Sequence, residues 1–260
     1  MLNTPIVAAN WKMNKTPQEG YAFVNKIRNM LLDIHKVKVI FCPPFTALFH
    51  MNALLEETPH ALGAQNVHWE PKGAYTGEIA VGMLEACGVS YVIVGHSERR
   101  HIFQELDDWI NAKVTAVLKG GLTPILCVGE TLQERESSHT EKILERQLRK
   151  GLKGLPPGSL EKIIIAYEPV WAIGTGVNAT CEQVKQAHET IRNLLRMQES
   201  ETKVHAVPIL YGGSVNVSNA RELIATWGVD GFLIGGASLE VSSLARIIHI
   251  VENNYTRKTW

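Results

Sequence analysis

Short apolar runs alternate along the chain with longer segments in which apolar residues recur at helical spacing. The apolar runs cover residues 6–9, 37–42, 61–65, 91–95, 124–128, 163–167, 207–211 and 231–234. In most of them nearly every position is apolar, whereas a strand with one wet face would alternate. Continuous apolarity is what a parallel strand covered on both faces requires. The intervening segments carry helix signals. Thr16-Pro17-Gln18-Glu19 sets a cap residue, a proline and an acid at a helix start. Thr180-Cys181-Glu182-Gln183 has the spacing of a capping box, with an amphipathic run to about Met197 behind it. In Glu141-Lys142-Ile143-Leu144-Glu145-Arg146-Gln147-Leu148 the apolar residues again fall at helical spacing, and Gly151 and Gly154 mark the exit.

Eight such strands, each followed by a helical segment, predict an α/β fold: a closed, eight-stranded parallel (β/α)8 barrel spanning residues 1–260 as a single domain. The alternative is an open doubly wound sheet, whose edge strands would tend to carry charge or proline. Most of the eight runs show neither, although residues 37–42 include Lys38. Pro156-Pro157-Gly158 reads as a loop between units, and no charge block or low-complexity tract divides the chain. At 260 residues and 45% hydrophobic content, one large core is expected.

Charge narrows the partners. Lys plus Arg number 26 and Asp plus Glu number 26, so the formal net charge is zero. Without a basic stripe, nucleic acid is not an expected partner, and an anionic substrate must be met by local groups. Residues 1–5 lack the basic-then-apolar pattern of a signal peptide, and no run approaches the roughly 18 apolar residues of a membrane span. A cytoplasmic protein with no membrane association is the expectation. Cys42, Cys87, Cys127 and Cys181 lie far apart without CxxC spacing, so they read as reduced, small core residues and no metal site is expected.

In a barrel of this kind the working groups sit where strands end. Strand one runs into Asn10-Trp11-Lys12, giving a neutral donor and a compact cation two residues apart. Strand four runs into Gly95-His96-Ser97-Glu98-Arg99-Arg100. His96 there precedes a helix start, which disfavours its cationic form and predicts a neutral imidazole. Arg99 and Arg100 read as partners of Glu105, Asp107 or Asp108 at the surface. Strands seven and eight lead to Gly212-Gly213-Ser214 and Gly235-Gly236-Ala237. Two glycine pairs at matching points, each ahead of a helix, predict a phosphate cradle. The loop Gly73-Ala74-Tyr75-Thr76-Gly77-Glu78 has an apolar, glycine-flanked tip suited to a subunit contact. Most telling is residues 163–176: an apolar strand ends in Glu168, and Pro169 holds it extended. Val170-Trp171-Ala172-Ile173 then closes on Gly174 and Gly176, the layout of a base at a rigid strand end with a water-excluding lid.

These segments, together with Gly63-Ala64-Gln65-Asn66 and Tyr211-Gly212-Gly213-Ser214-Val215, make the whole chain resemble the triosephosphate isomerase family. The resemblance implies the TIM barrel and the interconversion of dihydroxyacetone phosphate and D-glyceraldehyde 3-phosphate through an enediol(ate). It implies Glu168 as the proton carrier, His96 as the group polarising the carbonyl, and Asn10 and Lys12 as groups that bind substrate and stabilise charge. Gly174, Ser214, Gly235 and Gly236 would hold the phosphate. Glu98 would support Lys12, Tyr211 would latch the lid, and Trp171 and Ile173 would belong to the lid. It further implies no cofactor, a glycolytic and gluconeogenic role, and a homodimer through the loop around Thr76. Two rival readings are another phosphate-binding barrel, such as a Schiff-base lyase, and a non-catalytic barrel scaffold; the lyase would want a lysine at a mid-sequence strand end, and the eight runs contain only Lys38, near the start of its run.

Overall fold

The computed structural model describes residues 4–56, 58–173, 178–197 and 201–255. Its strands are β1 (Ile6–Asn10), β2 (Lys38–Cys42), β3 (Ala61–Ala64), β4 (Tyr91–Val94), β5 (Thr123–Val128), β6 (Ile164–Tyr167), β7 (Ile209–Tyr211) and β8 (Gly231–Ile234). Each pairs in parallel with the next, and β8 pairs with β1, so the sheet closes on itself. That ladder excludes the open sheet. All eight apolar runs are strands, with ends that agree to within two residues.

The helices are α1 (Pro17–Arg28), α2 (Leu48–Leu55), α3 (Val81–Ala86), α4 (Ser97–His101), α5 (Asp107–Lys119), α6 (Leu132–Glu136), α7 (Thr140–Gly151), α8 (Cys181–Arg196), α9 (Glu201–Ala206), α10 (Ala220–Ala225) and α11 (Val241–Asn254). The expected caps form. Thr16 and Glu19 exchange both capping-box bonds at the head of α1, and Thr180 and Gln183 do so at α8. None of the described helices is long and apolar enough to cross a membrane.

Alternate residues of each strand serve different cores. Val7, Val39, Val92, Leu126, Ile165 and Ile209 pack outward with helix residues such as Ile27, Val114, Leu144 and Ile191. Ile6, Ala8, Ile40, Ile93, Cys127, Ile164, Ala166, Leu210 and Leu233 form a second cluster built from strands alone, the barrel interior. Stepping two residues on along the interior row leads to Asn10 from Ala8, Glu168 from Ala166, Gly212 from Leu210 and Gly235 from Leu233. The period of two therefore delivers these four residues to the C-terminal mouth of the barrel. All four cysteines are free. Cys42 and Cys127 belong to the interior cluster, and burial pushes the Cys42 thiol up to about 12, which keeps it unreactive.

Candidate active site

A cavity of about 190 Å³ opens at that mouth, lined by Asn10, Lys12, His96, Glu168, Ile173, Ser214, Gly235 and Gly236 among others. Drug-sized ligands occupy roughly 300–1,000 Å³, so this cavity suits something smaller. Eight of the residues singled out in the sequence meet there. Glu98 bonds Lys12 from outside the lining, and Tyr211 and Trp171 are not among the lining residues. Gly174 lies outside the described residues.

Glu168 is only 2% exposed. Its Oε2 accepts the Ser97 N–H at 2.9 Å, and its Oε1 lies 3.0 Å from His96 Nε2. Burial alone would push this carboxyl up. The His96 imidazole, the Ser97 N–H and Lys12 outweigh it and hold the group below its ordinary value, so Glu168 is ionised. Space for it is cleared by two glycines. A Cβ on Gly129 would lie 1.8 Å from the Glu168 carbonyl oxygen, and one on Gly212 would lie 2.8 Å from Glu168 Cγ.

His96 is the N-cap of α4, and its Nδ1 accepts the Glu98 N–H at 3.2 Å. A ring nitrogen that accepts carries no proton, so the neutral ring bears its hydrogen on Nε2, facing the cavity. Burial also opposes the charged form, yet the nearby Glu168 and Glu98 carboxylates prevail and raise His96 above its ordinary 6.5. The helix start, which favours a neutral ring, is thus opposed here by a carboxylate 3.0 Å away.

Lys12 has φ +52°, the left-handed region that costs a side-chain-bearing residue about 1–2 kcal/mol. Three contacts hold it there. Its N–H donates to Asn10 Oδ1 at 3.1 Å, its carbonyl accepts Gln65 Nε2 at 2.8 Å, and its Nζ donates to Glu98 Oε1 at 2.6 Å. Gln65 also donates to the Cys42 carbonyl, tying the ends of β1, β2 and β3 together. Sequence reasoning gave Gln65 no role, because a glutamine at a strand end carries no signal of what it bonds. Lys38 sits at the opposite end of the barrel, where its Nζ donates to the Pro59 carbonyl. Lys38 is therefore not available to a Schiff base at the mouth where the strands end.

Both glycine pairs line the cavity. Gly212 also clears Glu168, and a Cβ on Gly213 would lie 2.2 Å from the Tyr211 hydroxyl, so the first pair makes room for side chains as well. No helix begins at once behind it, since α10 starts at Ala220. Gly235 and Gly236 open onto the cavity, with Lys12 Cε 3.3 Å from a Cβ built on Gly235 and nothing near Gly236. A single 3-10 turn, Gly236–Leu239, follows them. Tyr211 is buried, and burial pushes its hydroxyl up to about 12 against the opposing influence of the Ala179 backbone. Arg99 pairs with Glu105 at 2.5 Å and Arg100 with Asp107 at 2.7 Å, as expected, but both carboxylates are largely buried and not at the surface. Glu105 also binds Lys113, and Lys113 donates to Asn66.

The turn that follows Pro169 is anchored by a carboxylate the sequence did not disclose. Glu130 is fully buried and accepts from Tyr167 Oη at 3.1 Å, Trp171 Nε1 at 3.0 Å and Arg135 Nη1 at 3.0 Å. Trp171 lies in the turn Val170–Ala172, two residues beyond Pro169.

The family model for triosephosphate isomerase matches residues 5–251. The triosephosphate isomerase of Roseiflexus castenholzii is 48% identical over 250 residues, which is 96% of this chain and 98% of that protein. That of Carboxydothermus hydrogenoformans is 48% identical over 247 residues, 95% of this chain and 98% of that one. The crystal structure of triosephosphate isomerase from Bartonella henselae superposes with a TM-score of 0.86 at 39% identity, covering 95% of this chain and 98% of the other. The chain belongs to the triosephosphate isomerase family.

Proposed function

We propose that this protein interconverts dihydroxyacetone phosphate and D-glyceraldehyde 3-phosphate by moving one proton between C1 and C2 through an enediol(ate). The observation that carries the reading is a buried, ionised carboxylate and an imidazole N–H, 3.0 Å apart, lining one small cavity with a lysine. Glu168 takes the proton from one carbon and returns it to the other. To do so it leaves the Ser97 N–H and turns to the substrate. The influence that raises His96 leaves with it, while the Glu98 N–H still blocks Nδ1. His96 then offers a neutral Nε2–H to the carbonyl oxygen, and Lys12 and Asn10 stabilise the charge that grows there. A glutamate base working with a neutral histidine is the established pattern of triosephosphate isomerase, and the geometry here is compatible with that pairing. Ser214, Gly235, Gly236 and the lid glycine Gly174 bind the phosphate. Tyr211 receives the lid, of which Trp171 and Ile173 are part, and Glu98 keeps Lys12 in place.

No metal or organic cofactor is called for, since electrons and protons balance within the substrate. The chain works as one barrel in the cytoplasm, in glycolysis and gluconeogenesis. It pairs as a homodimer through the loop around Thr76. Support for the dimer comes from exposed apolar residues on neighbouring strand-to-strand connections: Met13 after β1, Phe49 in α2 after β2, Tyr75 after β3, and Ile102 and Phe103 after β4. The test of activity is a coupled assay on glyceraldehyde 3-phosphate with wild type and Glu168→Gln. The variant should lose about 10²–10⁴-fold in kcat with a much smaller change in KM. An inactive wild type, or a variant of near-wild-type turnover, overturns the reading.

A further inference from the structure

Beyond the ends of β5 and β6 the two chains remain laddered. The Glu168 N–H donates to the Val128 carbonyl at 2.8 Å and the Val170 N–H to the Glu130 carbonyl at 3.0 Å. Residues 128 and 130 thus turn their carbonyls toward β6, and the intervening Gly129 turns its own N–H and C=O the other way. On that side β4 has already ended at Val94 and the chain has entered α4. No strand is there to take up the two groups.

Gln147 of α7 takes them up. The Gly129 N–H donates to Gln147 Oε1 at 2.8 Å, and Gln147 Nε2 donates to the Gly129 carbonyl at 3.1 Å. Gln147 is 2% exposed, so neither bond has water as a substitute. Its primary amide presents one C=O and one N–H side by side, as a neighbouring peptide group would. It stands in for the missing strand. Gly129 in turn presses on the Glu168 main chain, and the next residue, Glu130, holds Trp171.

We propose that Gln147 is a positioning residue for the reaction, fixing through Gly129 the backbone from which Glu168 swings. The inference rests on Glu168 being the proton carrier. Two variants of the purified full-length protein test it, assayed beside wild type and Glu168→Gln. Gln147→Leu keeps the bulk and removes both bonds. It should lower kcat about tenfold while KM stays within about twofold, because displacement of a catalytic group by an ångström or less costs on the order of 10–10² in rate. Gln147→Glu can still accept the Gly129 N–H, but when ionised it sets lone pairs against the Gly129 carbonyl. Its kcat should therefore recover toward the wild-type value as pH falls and the introduced carboxyl gains a proton to donate, a trend the ratio to wild type displays directly.

The proposal is overturned if folded Gln147→Leu has kcat within twofold of wild type. It is also overturned if the Gln147→Glu pH profile superimposes on that of wild type, or if kcat and KM move together in step with lost thermal stability. Should Gln147→Leu fail to fold, the Gln147→Glu profile decides. Near-wild-type activity of Glu168→Gln would instead refute the assignment of the base, leaving the two failures distinguishable.

Discussion

Glu168 reaches the cavity because the residues beside it, just past the ends of β5 and β7, have no side chains. At Gly212 the missing Cβ matters most, since it would sit 2.8 Å from Glu168 Cγ. Gly212→Ala should push the carboxylate off its line to the substrate while leaving the phosphate-side residues Gly235 and Gly236 untouched. Steady-state kinetics should show kcat lowered by about 10²-fold with KM changed far less. Equal effects on both constants would refute this account. A second residue governs acid tolerance. His188 of α8 is fully buried against the Tyr167 ring, with Nδ1 bonded to the Gly228 carbonyl and Nε2 without a partner among the described residues. Burial depresses it from 6.5 to about 4. Between those values the unfolded chain binds the proton and the folded chain does not, so stability is full above 6.5 and drains away as pH falls toward 4. Thermal midpoints of His188→Gln should accordingly fall less steeply than wild type across that window. Parallel slopes would mean that other groups set the acid limit.

At the scale of the element, Glu130 joins the end of β5 to β6 and to the turn Val170–Ala172. Glu130→Ala would strip an acceptor from Tyr167, Trp171 and Arg135 at once. The expected cost is roughly 2–4 kcal/mol, read from urea midpoints at unchanged slope. A midpoint like that of wild type would show that water replaces the carboxylate. This anchor also marks where the sequence stops being legible. The strands were readable because burial on both faces leaves almost no polar positions, and α1 and α8 because their caps are local in sequence. Glu168 and His96 stood out because proline and a helix start fix them locally. Glu130, Gln65 and Gln147 did not, since each acts on a partner brought near only by barrel closure, and nothing in a lone polar residue names that partner. The same holds for Glu105, Lys113 and Asn66, whose buried cluster joins α5 to the loop after β3. Short helices such as α3 and α6 span too few turns for their periodicity to register.

For the whole molecule, the exposed apolar residues after β1 to β4 fall on one consecutive side of the closed sheet, and the loop at Tyr75 is already ordered. Its Tyr75 and Glu78 N–H groups bond within the loop, and the Tyr75 ring packs 4.4 Å from that of His68. A preshaped tip needs little ordering on association. Sedimentation at micromolar concentration should give about twice the 28.9 kDa chain mass, and deletion of residues 75–77 should give monomers of low activity. A monomeric wild type would refute the dimer. Closure of the sheet has a consequence of its own during synthesis. The seam joins β1 to β8, the first strand made to the last, so β1 waits with a bare, apolar edge while more than two hundred residues are added between them. Throughout translation that edge can template pairing with a neighbouring nascent chain. The ribosome-bound intermediate, more than the finished barrel, is where this protein is open to aggregation and where a chaperone has something to hold.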